Sequence, residues 1–242
     1  MDKKESTENW IARAYNKLTA PQTIKICGYA VMAFYIGLLL IGVLIAATLH
    51  PEGYTVWDNW ISDLGSIEHT PAPYLYDIAC AAAGILSMPF IFYQEKHIAP
   101  IPRSPEDLPA PHRMTYRGIG LAFFFTLLGN FFYIFVGIFS GDRNYYDLHN
   151  IFSYLTFGFY AFGTLFFGFT LIVARQKLVP RPWNYIIGSI GMVAPFTVAI
   201  LNVIDSTPLR EWALLWAIMG FVIPVVLFTL RHAGKLEQEG SK

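Results

Sequence analysis

Six stretches of this sequence are continuously apolar over about the 20 residues that a helix needs to cross a hydrocarbon core. They run from about Ile24 to Leu49, Tyr74 to Tyr93, Gly118 to Ser140, His149 to Ala174, Trp183 to Ile204 and Trp212 to Leu230. Each is too long for a barrel strand, and none alternates with the period of two that a strand requires. The fold expected is therefore all-α, an integral membrane bundle of six transmembrane helices. Composition agrees: 14% of the residues are charged and the mean hydropathy is +0.43, against about 25% charged in a soluble domain.

The placement of charge gives the orientation. Lys3, Lys4, Arg13, Lys17 and Lys25 precede the first run. Lys96, Arg103, Arg113 and Arg117 follow the second, Arg175, Lys177 and Arg181 the fourth, and Arg231, Lys235 and Lys242 the sixth. Only Arg143 and Arg210 fall on the other side. Lys and Arg accumulate on the cytoplasmic side of membrane proteins, so both termini are expected in the cytoplasm. The chain then divides into a cytoplasmic segment 1–23, a transmembrane domain 24–231 and a cytoplasmic tail 232–242. The formal net charge is zero, so no basic field suggests nucleic acid.

The first 25 residues lack the apolar core of a cleavable signal peptide. Within them Trp10, Ile11, Ala14, Tyr15 and Leu18 fall on one helical face, which suits a short helix over Asn9–Leu18 lying among lipid headgroups. Between the second and third runs stand Pro100, Pro102, Pro105, Pro109 and Pro111. That spacing favours an extended course, a linker first and a candidate contact for a cytosolic protein second. Cys27 and Cys80 sit in apolar runs at opposite membrane faces, too far apart for a disulfide. Pro89, Pro195 and Pro224 fall within spans, and Gly158, Gly163 and Gly168 are five residues apart, so they form no single stripe.

The outer side is acidic, and three clusters there carry the polar chemistry. The first loop reads Trp57-Asp58-Asn59-Trp60-Ile61-Ser62-Asp63-Leu64-Gly65-Ser66. Asp followed by Gly is turn chemistry, so the loop either folds back on the helix ends or forms a polar lid. Asp147, His149 and Asn150 open the fourth span. Asp147 is placed to cap it, and His149 is the best single candidate for acid–base work, because imidazole titrates near neutrality, the alternative being a hydrogen-bonded structural residue. Asn202, Asp205, Arg210 and Glu211 surround the last outer turn, where Asp205 and Arg210 are close enough to pair. Isolated acids such as Glu52 and Asp142 read as loop solvation. Asn130 lies deep in the third span, where a polar side chain bonds another helix or lines a path for a ligand. A metal site from Asp63, His69, His149 and Asp205 is chemically conceivable, but no spacing demands one. No motif identifies a cofactor.

The segment Asn59-Trp-Ile-Ser-Asp-Leu-Gly65 resembles the first outer loop of a prokaryotic six-helix membrane family of unknown function. His149 at the start of the fourth helix and Arg210-Glu211 opening the last are also similar to that family. A more distant likeness is to the eukaryotic DRAM/Sfk/Frag group, which has the same helix count and a related Ile-Ser-Asp element. The resemblance implies an outer-facing polar site on a six-helix bundle in a cell membrane. The eukaryotic group is associated with lipid remodelling of anchors, phosphoinositide regulation and autophagy.

Two functions follow as expectations. In the first, the chain handles membrane lipids: His149 is the acid–base group, oriented by Asp147 or Asp63, while Ser62 and Asn59 position a headgroup. In the second, it is a non-catalytic scaffold using its first outer loop and its proline-rich inner loop. A transporter is disfavoured, because few polar residues stand at the midplane. Convergence of the three outer clusters on one pocket separates the first reading from the second.

Overall fold

The computed structural model describes residues 3–100 and 113–240, which contain helices and turns and no strand. Helix α1 spans Lys3–Leu18, α2 Pro21–Leu49, α3 Tyr74–Ile98, α4 Arg113–Ile138, α5 Leu148–Val173, α6 Trp183–Ile204 and α7 Pro208–Gly240. Helices α2 to α7 are the six long and apolar enough to span a membrane. In lipid no water satisfies the backbone, so each crossing segment must pair its own N–H and C=O groups, and a helix does so completely. The one irregular stretch within a span is Met32–Gly37 of α2, which is π-helical.

Consecutive spans pack against each other, and α2 closes the bundle by lying against both α3 and α7. Close approach depends on small residues, as usual between membrane helices. A Cβ on Gly163 would stand 2.5 Å from Thr126 of α4, and one on Gly168 would stand 2.4 Å from the Gly188 carbonyl of α6. The two glycines thus admit different neighbours. Ile26, Leu40, Leu44, Phe124 and Val193 are exposed on the outside of the bundle, where lipid would cover them.

Chain ends meet at one end of the bundle. Lys25 pairs with Glu237 at 2.8 Å, and the Tyr93 hydroxyl lies 2.8 Å from His232 Nδ1. Here α1 is longer than the sequence suggested and docks on the end of α3: Tyr15 donates to Glu95 at 3.3 Å, and Lys96 to Thr19 Oγ1 at 2.9 Å. Burial raises the Tyr15 hydroxyl to about 12, with the Glu95 charge adding to the effect. Trp10 and Ile11 stay exposed. Helix α7 also runs past the expected end of the last span and carries the tail to Gly240 as helix. The proline-rich stretch falls mostly on residues 101–112, outside the described residues. Cys27 and Cys80 are free thiols.

The end opposite the termini is the distal end. It holds the loop 50–73, the turns 139–147 and the α6–α7 connection. Its core packs Tyr54, Ile61, Leu64, Tyr76 and Trp212 together.

Candidate functional site: a polar pocket at the distal end

The first loop is a built structure. Ile61–Gly65 forms a single 3-10 turn, and the Asp63 carboxylate closes it by accepting the Trp60 N–H at 2.8 Å. Ile61 and Leu64 are buried beneath it. The start of α7 holds it down: Glu211 accepts the Ile61 N–H at 2.9 Å, and Trp212 Nε1 donates to the Asn59 carbonyl at 3.0 Å. Tyr54 donates to the Trp60 carbonyl at 2.7 Å. Gly65 passes so close to the α3–α4 pair that a Cβ there would lie 3.0 Å from both Ser140 and Tyr76. The loop therefore folds onto the helix ends and, in doing so, roofs a pocket.

Asp142 belongs to the same scaffold. Read from sequence as a solvated loop acid, it instead accepts from the Ser66 hydroxyl at 2.9 Å and the Ile67 N–H at 3.0 Å. Beside it Arg143 pairs with Asp77 and donates to Ser140 at 3.0 Å.

The entry to α5 differs from the expected cap. Asp147 sits at the cap position with left-handed backbone (φ 63°) and makes no side-chain cap bond. Its carboxylate accepts instead from Asn150 at 2.6 Å. The capping acceptor is Asn144, whose Oδ1 takes the His149 N–H at 2.9 Å. Neither Asp147 nor Asp63 orients the His149 ring. That task falls to the Phe139 carbonyl, 2.7 Å from Nδ1. A carbonyl only accepts, so Nδ1 carries the proton. In the neutral ring Nε2 is then left as an acceptor, 3.4 Å from the Ser153 hydroxyl. His149 is 4% exposed.

These elements enclose a pocket of about 500 Å³ between the first loop and the ends of α5, α6 and α7. Of the residues singled out in the sequence, Ser62, Asp63, His69, His149, Asn150, Asn202 and Glu211 line it together. Asn59, Asp147, Asp205 and Arg210 do not. Asn59 is engaged in the loop, where its Oδ1 accepts the Thr55 N–H at 3.0 Å. Asp205 and Arg210 pair at 2.6 Å, with the Asp205 side chain 64% exposed. The four residues considered for a metal thus do not assemble, since Asp205 stands apart. Among the described residues no three His, Cys, Asp or Glu are placed to hold a metal ion. Asn130 does not line this pocket; it lines a second cavity inside the bundle.

The pocket also contains residues that sequence reasoning passed over. Ser153 is one turn beyond His149 on α5, a spacing legible in the sequence. Glu68 and Asn144 come from the loops, and only the folded course of the chain assembles them.

Three carboxylates, Asp63, Glu68 and Glu211, line the pocket together with His69 and His149, and among the described lining residues there is no Lys or Arg. Burial holds the Asp63 carboxyl above its ordinary range. The Trp60 N–H and His69, whose Nε2 lies 3.8 Å from Asp63, oppose that rise. Such a site suits hydroxyl and ammonium donors better than a bare anion. It offers one unprotonated imidazole nitrogen in reach of a hydroxyl.

The family model described as the Frag1/DRAM/Sfk1/Cwh43P N-terminal domain matches residues 25–237. No curated protein and no solved structure matches the chain.

Proposed function

The chain belongs to the Frag1/DRAM/Sfk1/Cwh43P family, and on that premise we propose that it is a lipid-handling protein whose distal pocket receives the headgroup of a membrane lipid. The observation that supports this reading is convergence. Residues from the first loop, α5, α6 and α7, far apart in the chain, line one pocket at the end of six apolar spans. A contact surface for a protein partner would not need polar side chains turned into a shared concavity.

The distal end faces outside, and the termini lie in the cytoplasm of a cell whose plasma membrane the six helices cross. This orientation rests on the fifteen Lys and Arg of the terminal side against two on the other. Within its family the chain falls with prokaryotic members that carry Ile61-Ser62-Asp63-Leu64-Gly65 in the first loop.

The headgroup presents hydroxyl or amine donors to Asp63, Glu68 and Glu211, since no Lys or Arg stands among the described lining residues to take a bare phosphate. His149 is the acid–base group: its Nε2 accepts a proton from a hydroxyl held near Ser153, while the Phe139 carbonyl fixes the ring. Ser62 and Asn202 position the headgroup.

Gentle extraction followed by mass spectrometry of bound lipids tests this proposal, comparing wild type with Asp63→Ala and His149→Ala. A specific lipid present in wild type and lost from both folded variants is the expected result. An unselective lipid profile, the same in all three, would remove the headgroup site and favour a scaffold.

A further inference from the structure

A second cavity, of about 140 Å³, lies inside the bundle. Five spans wall it, and α6 contributes nothing. Most of the lining is apolar, including Ile119, Ala122, Phe167 and Leu215. Two features set it apart from a packing defect.

The first is a pair of unsatisfied polar groups. Asn130 is 1% exposed, and its Oδ1 accepts from the Tyr160 hydroxyl at 2.6 Å. Its Nδ2 has no hydrogen-bond partner among the described residues, and neither has Thr156 Oγ1 on an equally buried residue. Both residues line the cavity. Buried polar atoms are almost always paired, and in a membrane interior no bulk water substitutes. Elsewhere buried threonines settle this locally by bonding the carbonyl four residues back, as Thr170 does to Phe166 at 2.7 Å and Thr229 to Val225 at 2.8 Å. Thr156 does not.

The second is the π-helical stretch of α2. Met32, Tyr35 and Ile36 of that stretch line the cavity. A π-bulge interrupts regular helix pairing and persists mostly where a site uses it.

We propose that this cavity binds a hydrocarbon chain carrying one acceptor oxygen, which takes the Asn130 Nδ2 hydrogen and the Thr156 hydroxyl. The size fits such a partial occupant. A cavity of about 150 Å³ lined by apolar side chains accepts a benzene-sized group, so this one holds a chain segment of similar bulk. The chain comes either from a free fatty acid or from an ester-linked membrane lipid, both of which pair hydrocarbon with a carboxyl oxygen. Phe157 contributes to the wall of both this cavity and the distal pocket, but the assignment rests on the orphaned polar groups and stands without the headgroup reading.

Palmitic acid bearing a diazirine near its carboxyl end is the probe, applied to the full chain in nanodiscs, with cross-linked peptides mapped by mass spectrometry. Expected labels fall on the α4 and α5 peptides containing Asn130 and Thr156. Ala122→Leu, which fills the cavity, should reduce them at least tenfold. Thr156→Val, which removes the hydroxyl at constant shape, should weaken labelling by roughly two- to tenfold with unchanged thermal stability, the loss of about one hydrogen bond. This second variant decides the matter if Ala122→Leu does not fold. Unlabelled palmitic acid or phosphatidylcholine, whichever competes, identifies the source of the chain. Asp63→Ala, which tests the distal pocket, should retain cavity labelling, so the two readings fail separately. Labels confined to lipid-facing residues such as Phe124 and Phe131, and insensitive to Ala122→Leu and Thr156→Val, would overturn the assignment.

Discussion

Glu211 accepts the backbone N–H of Ile61, 150 residues earlier in the chain, at 2.9 Å. Glu211 is 8% exposed and Ile61 4%, so the bond is made out of water and ties the last span to the first loop. Removing the carboxylate with Glu211→Ala leaves a buried donor unpaired, at a cost of about 1–3 kcal/mol. Glu211→Gln keeps a carbonyl acceptor and should stay closer to wild type. Thermal unfolding in detergent separates them. Equal stability of the two variants would show that the loop does not depend on this bond.

Asp63 supplies a pH dependence of definite sign. Burial lifts its carboxyl above the ordinary value of 3.8, so the folded state holds the proton to a higher pH than the unfolded state. The associated stability is complete below the unfolded value and is lost as pH rises through the folded one. Asp63→Asn stays uncharged and can still accept the Trp60 N–H. Its melting temperature should therefore decline less than that of wild type between pH 3.8 and the raised value. Parallel curves over that interval would refute the assignment. Lipid binding that uses the ionised carboxylate should fall on acidification through the same interval.

His149 meets the Phe139 carbonyl at Nδ1 and the Ser153 hydroxyl at Nε2, on opposite sides of the ring, and a substitution can divide the two. His149→Asn can offer an amide N–H to the Phe139 carbonyl but nothing in place of Nε2. It should retain stability to within about 1 kcal/mol while abolishing any lipid turnover. His149→Ala should lose both. Turnover that survives in His149→Asn would take His149 out of the chemistry and leave it a role in joining α5 to the end of α4.

How much of this was legible in the sequence depended on whether the signal was local. The six spans follow from apolar run length alone, because a bilayer admits almost no alternative. The Ile61–Gly65 turn was legible too, from Asp63 and Gly65 standing two residues apart. The pocket itself was not. The sequence groups residues by position along the spans, yet that position does not say which way a side chain points. Asn59 and Asp147 therefore share the expectation with Ser62 and Asn202, although Asn59 bonds within its own loop and Asp147 bonds Asn150 in the first turn of α5. The orientation of His149 had no sequence signal at all, since the group that sets it is a main-chain carbonyl at Phe139. Asn130 was visible as an intramembrane polar residue, but its unpaired amide hydrogen emerges only when Tyr160 is seen to occupy the other side of the amide.

Gly158 offers a way to close the distal pocket without touching its polar groups. It lines the pocket from α5, and a Cβ built on it meets nothing within 4 Å. Alanine there replaces the least favourable interior helix residue other than proline, and should stabilise by about 0.5–1 kcal/mol. Leucine at the same position projects a side chain into the pocket. If the pocket holds a lipid headgroup, Gly158→Ala should raise the melting temperature and retain the co-purified lipid. Gly158→Leu should remain folded and lose it. Retention of the lipid in Gly158→Leu would mean that the lipid is bound elsewhere. Because this substitution leaves Asp63, His149 and Glu211 in place, its effect reports on occupancy of the space and not on loss of a bond.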